Sequence, residues 1–177
     1  SSERDNGNGA LMRISPLALI LYENVDFSYR SKIIEQYTKL THAHPRSIVA
    51  SILYVQLLIG FLLNIRLEKL LCQSKPYFED YFKKKPEYWE EYHEHFSEIF
   101  DREFYQKSRE DIVSTGYVVD TLKACLWCLG TTESFEEAVL KAVNLGGDTD
   151  TIGAITGTLA GAHYQLEGIP EKWIQQL

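Results

Sequence analysis

The sequence predicts an all-α protein, an irregular multi-helix bundle with largely orthogonal crossings. No stretch alternates with period two over a strand length, whereas apolar residues recur at steps of three and four. Ser, Asp and Pro open these stretches, and glycine pairs or prolines close several of them. The chain has 177 residues, 45% of them hydrophobic, with only 11 Gly and 5 Pro. That is the composition of one globular domain. A domain of this size buries roughly 70% of its unfolded surface and needs no disulfide staples.

Taken in order, residues 16–22 read as a short apolar helix opened by Ser15 and Pro16. Residues 28–40 are amphipathic, with Ile33, Ile34, Tyr37 and Leu40 forming the expected buried stripe. Pro45 opens a long helix expected to reach about Leu71. Thr115 or Gly116 precedes a helix to Leu129. Ser134 and Glu137 form a capping box for the next, which ends at Gly146-Gly147. Asp148 opens the last long helix, expected to reach about Leu166, and Pro170 starts a terminal turn. That last helix carries Gly153, Gly157 and Gly161 at steps of four. An interior glycine costs a helix about 1 kcal/mol, so a close neighbour is expected to compensate. Residues 77–105 stand apart as an aromatic-rich helical excursion holding half of the chain's aromatic side chains. They read as a pair of short amphipathic helices packed on the bundle, or as a lid or partner surface.

Charge and cysteine usage exclude several functions. With 18 basic against 25 acidic residues, the net charge is −7. A basic face for nucleic acid is therefore not expected. The three cysteines, Cys72, Cys125 and Cys128, are few and odd in number, which points to a reducing, cytoplasmic compartment. Cys125 and Cys128 form a C-x-x-C inside an apolar helix, where two small core residues are the plain reading; a redox pair or a zinc site is the alternative. The polar start SSERDNGNG is no signal peptide. The most apolar run, 48–63, is broken by Ser51, Gln56 and Gly60. It is shorter than the roughly 18–20 apolar residues a membrane span requires, so it reads as a buried helix of a soluble protein.

The strongest chemical signal is Leu145-Gly146-Gly147-Asp148-Thr149-Asp150-Thr151. Asp148, Asp150 and the Thr151 hydroxyl can aim hard oxygens at one point, which suits Mg²⁺, Mn²⁺ or Ca²⁺. The plain alternative is a capped helix start, with acidic residues answering the positive end of the helix dipole. An EF-hand fails, because its fifth and twelfth positions fall on Ile152 and Leu159. His93-Glu94-His95 fails as a helical metal pair, because residues two apart point away from each other. A second signal is Asn6-Gly7-Asn8-Gly9, a loop able to present backbone N–H groups to a phosphate, or simply a turn. His42, at a helix start, and Gly116-Tyr117, at the mouth of another, are candidate site residues or ordinary helix-end and core residues.

Together these segments resemble the ADP-ribosylglycohydrolase family, the dinitrogenase reductase-activating glycohydrolase group. The matching segments are N-G-N-G-A-L-M-R-I-S-P-L-A-L at 6–19, T-H-A-H-P at 41–45, G-Y-V-V-D-T-L-K-A-C-L-W at 116–127, and A-V-N-L-G-G-D-T-D-T-I-G-A-I-T-G-T-L-A-G-A at 142–162. The last is the most specific, and residues 66–112 carry no resemblance. The resemblance implies the family's all-α bundle and a hydrolase that cleaves the glycosidic bond between ADP-ribose and a modified side chain or small ADP-ribose derivative. It implies a metal site of Mg²⁺ (or Mn²⁺), with two ions when complete, to which this chain gives Asp148, Asp150 and Thr151. It implies a diphosphate cradle at Gly7, Asn8 and Gly9, with His42, Gly116 and Tyr117 near the ADP-ribose. Family members also carry a Thr-Asp-Asp ligand motif, and in several cases a catalytic glutamate, ahead of the phosphate loop. No Asp-Asp pair occurs in these 177 residues. The chain is therefore expected to correspond to the C-terminal two-thirds of a family member, its catalytic acid unassigned. An N-terminal fragment or a homo-oligomer is then a candidate partner beside the ADP-ribosylated substrate. A non-catalytic ADP-ribose-binding or structural relative is the alternative function. The leaving group (arginine, serine or a small molecule) stays open.

Overall fold

The computed structural model describes residues 6–176; residues 1–5 of the polar start SSERDNGNG, read as no signal peptide, and the final residue lie outside the described residues. The order is α1 (Gly9–Ile14), α2 (Pro16–Leu21), α3 (Phe27–Lys39), α4 (Pro45–Leu62), α5 (Leu67–Lys83), α6 (Pro86–Glu91), α7 (Val118–Gly130), α8 (Phe135–Val143), α9 (Thr149–Tyr164) and α10 (Glu171–Ile174). A π turn (Tyr92–Phe96) and three 3₁₀ turns link α6 to α7. Among the described residues extended pairing is limited to one isolated antiparallel bridge, Gly7 to Tyr117. The expected all-α class is therefore what the chain adopts.

Helix α4 is the axle. It packs against α1, α2, α3, α5, α6, α7 and α9, and Arg46 through Phe61 are all buried. It is apolar enough and, at 18 residues, long enough to cross a membrane, but 89% of it is covered by the rest of the protein. Its polar interruptions are all used. The Gln56 amide donates to Phe27 O at 3.1 Å and Ser31 Oγ at 2.9 Å, while Arg30 Nε donates to Gln56 Oε1 at 2.9 Å. Ser51 Oγ donates to Ser47 O at 2.8 Å. Gly60 leaves room for Leu70, whose Cδ1 would stand 2.3 Å from an added Cβ.

Two expectations are corrected here. The long helix does not reach Leu71 but ends at Leu62. Asn64 takes φ +59°, Asn64 N donates to Phe61 O at 2.9 Å, and Ile65 N donates to Gly60 O at 3.0 Å. That is a Schellman closure with asparagine in the left-handed position. Nor does α3 bury the whole of the expected stripe: Ile34 is buried and Ile33 partly so, but Tyr37 and Leu40 are exposed, and Ser31, Glu35 and Thr38 face inward with Ile34. The polar members of that face are hydrogen-bonded across to neighbouring helices or, for Thr38, to Ile34 O, which removes the cost of burying them.

The aromatic excursion is also not a helix pair. Residues 77–83 are the end of α5, and the rest divides into α6, the π turn and the 3₁₀ turns. Phe78, Phe82, Tyr88, Tyr92, Phe96 and Phe104 are buried in the main core, so the segment is mostly core filling. Cys125 and Cys128 are buried free thiols on α7; burial first of all pushes both pKa values up to about 12, which makes them unreactive.

Candidate functional site

The Gly146-Gly147 turn between α8 and α9 determines where Asp148 sits. Both glycines have positive φ, +80° and +67°. Asp148 N donates to Ser114 O at 3.0 Å, and Ser114 Oγ donates to Gly146 O at 3.1 Å. Arg109 donates to Leu145 O from the same side. The turn is thus fastened to the loop before α7, and the first residues of α9 follow from it. Asp148 is half-buried, Asp150 exposed and Thr151 buried.

Asp148 is the N-cap of α9, yet its side chain makes no cap hydrogen bond to that helix. It is held from the other end of the sequence: Asn8 Nδ2 donates to Asp148 Oδ2 at 2.6 Å and to Thr121 Oγ1 at 2.9 Å. Thr121 Oγ1 in turn donates to Thr115 O at 3.0 Å. The Asn8 hydrogen bond is the largest influence on Asp148, and with Thr151 and Asp150 it holds the carboxyl below its ordinary range despite some burial. Asp150 and Thr151 thus both lie within interaction range of the Asp148 carboxyl. Two carboxylates and a hydroxyl are hard oxygen donors, and this chemistry fits a divalent cation such as Mg²⁺ or Mn²⁺. Among the described residues, no third His, Cys, Asp or Glu joins them in a cluster.

The Gly7-Asn8-Gly9 segment reaches the same place. Its bridge to Tyr117 is closed by Asn8 N to Gly116 O at 3.0 Å and Val118 N to Asn6 O at 2.9 Å. Asn6 is buried and accepts from Ser47 Oγ of α4 at 3.2 Å. Gly116 stands against Asp148: an added Cβ would lie 3.2 Å from Oδ2. Gly9 lies against His42, where a Cβ would meet Cε1 at 3.3 Å and Nε2 at 3.4 Å. Thr41 Oγ1 accepts from Arg13 Nε at 3.0 Å and Nη2 at 2.5 Å and lies 2.8 Å from His42 Nδ1. Because Arg13 can only donate, the Thr41 hydroxyl proton is assigned to Nδ1, which makes Nε2–H the donor beside Gly9. Burial first, then the charge of Arg13, lowers the His42 pKa.

All nine residues expected at the site therefore lie in one neighbourhood, where the N-terminal ends of α4, α7 and α9 meet the start of α1. Helix N-termini carry positive potential and suit an anionic substrate, while the two aspartates supply the local negative charge a cation needs. A cleft of about 1070 Å³ lies at the opposite ends of α4, α7 and α9, lined by residues including Asn64, Arg66, Gly130, His163 and Tyr164. None of the expected site residues lines it. The sequence assigns no supporting role to Thr121, Thr41, Ser114 or Arg46. A threonine inside a helix and an arginine after Pro45 carry no local signal of a partner far along the chain.

Comparison with known proteins identifies the family. The family model described as ADP-ribosylglycohydrolase matches residues 1–177. The chain is 31% identical over 176 residues to the ADP-ribosyl-(dinitrogen reductase) glycohydrolase of Rhodospirillum rubrum, covering 99% of this chain and 52% of that protein. It is 29% identical over 171 residues to the ADP-ribosylarginine hydrolase Tri1 of Serratia proteamaculans (strain 568), covering 97% of this chain and 42% of that protein. A solved structure named ADP-ribosylglycohydrolase-related protein complex superposes with a TM-score of 0.74 at 32% identity, over 100% of this chain and 56% of that one. The chain thus spans about half the length of these relatives. With the family model matched end to end and the solved relative sharing its fold, the chain belongs to the ADP-ribosylglycohydrolase family.

Proposed function

We propose that the protein is a metal-dependent hydrolase that cleaves the bond between the distal ribose of ADP-ribose and a modified side chain or small ADP-ribose derivative. The observation that carries this reading is the Asn8 bridge. One side chain joins the glycine loop, which would face the diphosphate, to Asp148, which would face the cation. Asp148, Asp150 and Thr151 would hold Mg²⁺ or Mn²⁺, and a complete site would hold two ions. When bound, the cation supplies Lewis-acid polarisation of the sugar's oxygens.

This chain's residues then bind and orient. The Gly7-Asn8-Gly9 segment would line the diphosphate, with the Asn8 N–H already committed to Gly116 O. His42 Nε2–H, beside Gly9, would donate to it, and the Tyr117 ring would offer a face for stacking at the mouth of α7.

The test is release of ADP-ribose by full-length protein from ADP-ribosylated arginine, serine and small-molecule substrates, with and without Mg²⁺. Asp148→Ala and Asp150→Ala are each expected to lose roughly 100-fold or more in activity. Wild-type activity in both variants would remove the metal assignment. Calorimetric binding of ADP-ribose with neither turnover nor metal dependence would select the non-catalytic, ADP-ribose-binding reading.

A further inference from the structure

Arg46 occupies the first turn of α4, immediately after Pro45, where the helix dipole is positive and a cation is disfavoured. It is also 9% exposed. Its placement is made tolerable by Glu91, at the end of α6: Nε stands 2.5 Å from Oε2 and Nη2 stands 3.3 Å from Oε1, a fork-on-carboxylate pair. Burial acts to lower the Arg46 pKa, but Glu91 and Tyr117 outweigh it, so the guanidinium stays charged. Glu91 also lies 3.4 Å from His95 Nε2 in the π turn. With Nε and Nη2 committed to Glu91, Nη1 donates to the Tyr117 hydroxyl at 2.6 Å, and the guanidinium carbon lies 5.8 Å from the Tyr117 ring centroid.

A buried ion pair between α4 and α6 contributes little net stability compared with apolar packing. What a planar fork supplies in particular is direction. The Tyr117 backbone is already fixed by its bridge to Gly7, but the phenol has its own torsions. The guanidinium has no acceptor, so the Tyr117 oxygen accepts this bond and its proton is directed away from Arg46.

We propose that Arg46, aimed by Glu91, is a positioning residue that sets the ring plane and hydroxyl direction of Tyr117 for the nucleotide ligand. The aromatic excursion, through Glu91, is then the outer support of the binding site. This rests on the reading of Tyr117 as an ADP-ribose contact.

The experiment is a double-mutant cycle read by calorimetry with ADP-ribose, in Mg²⁺, on full-length protein. Arg46→Met, Arg46→Lys and Glu91→Gln are each made alone and together with Tyr117→Phe, and Tm is measured for all. Arg46→Met is expected to raise the Kd about tenfold in the Tyr117 background and less than about twofold in the Tyr117→Phe background. Arg46→Lys keeps a charge for Glu91 but loses the fork, so its Tm should recover while its Kd stays weak. If Arg46→Met does not fold, Arg46→Lys and Glu91→Gln complete the cycle. Equal effects in the two backgrounds, or a Kd that follows Tm through the series, would overturn the positioning role and leave the ADP-ribose reading intact. A wild-type protein that does not bind ADP-ribose would overturn that reading, and the positioning role with it.

Discussion

Gly147 has φ +67°, and a Cβ built on it would stand 2.0 Å from Ser114 O, the oxygen that accepts from Asp148 N. The contact is with backbone, so a side-chain rotation cannot relieve it. Gly147→Ala must therefore strain the turn, separate the two loops, or both. We expect it to cost about 2–4 kcal/mol and to displace Asp148. Gly146 has φ +80° but open space around its Cβ position, so Gly146→Ala should cost only about 1–2 kcal/mol, the left-handed penalty alone. Denaturant midpoints of the two variants check the ordering; equal losses would show that the Ser114 contact is not what constrains the turn. The double glycine is legible in the sequence as a turn. Which of the two is constrained is not, because the restraining oxygen belongs to a loop more than thirty residues earlier. The same holds for Asp148: local sequence marks it as a cap, and its real partner, Asn8, is 140 positions away.

At the scale of elements, α8 and α9 form an antiparallel hairpin along the glycine stripe, and the three glycines are not equivalent. A Cβ on Gly153 would stand 2.8 Å from Val143 Cγ1, whereas on Gly157 it would stand 3.8 Å from Val139 Cγ2, ordinary contact. Gly157→Ala should therefore gain most of the helix-propensity difference, about 1 kcal/mol. Gly153→Ala sets that gain against crowding by a stiff β-branched side chain and should end below it by about 1 kcal/mol or more. Thermal unfolding of both variants tests this; Gly153→Ala at or above Gly157→Ala would mean the helices do not meet at Gly153. Helix boundaries with local chemistry were readable: Ser134 Oγ accepts from Glu137 N at 3.2 Å, as the capping signal predicts, although the Glu137 carboxylate accepts from Glu133 N at 2.9 Å rather than from Ser134 N, so the reciprocal half of the box is displaced by one residue. The end of α4 was not, because apolar residues continue at helical spacing to Leu71 and mask Asn64. The buried face of α3 was misread for a related reason. A hydrophobic stripe identifies the inward face only where neighbouring helices offer no polar partners, and α3 packs beside Gln56 and the α5–α6 junction.

That junction links parts of the whole molecule that are distant in sequence. Glu35 of α3 is 7% exposed and accepts from Lys39 Nζ at 2.6 Å, Lys85 Nζ at 2.6 Å and Tyr88 Oη at 2.8 Å. Burial opposes its ionisation, but the three donors outweigh it and lower the pKa from 4.5 to about 2. The folded pKa lies below the unfolded one. The stability this carboxylate contributes is thus fully present above about pH 4.5 and is lost as pH falls toward 2. Glu35→Gln should be less stable than wild type at neutral pH, where it leaves two lysines without their carboxylate. Its disadvantage should shrink steadily as the wild-type group protonates. Other carboxylates titrate in both proteins and cancel in the difference, so the separation between the two urea midpoints, followed from neutral pH down through this window, reports Glu35 alone. Midpoints that fall in parallel would show that the α3–α5–α6 junction is held by its apolar contacts, Phe27 against Phe78 and Tyr81 among them, rather than by the buried charge.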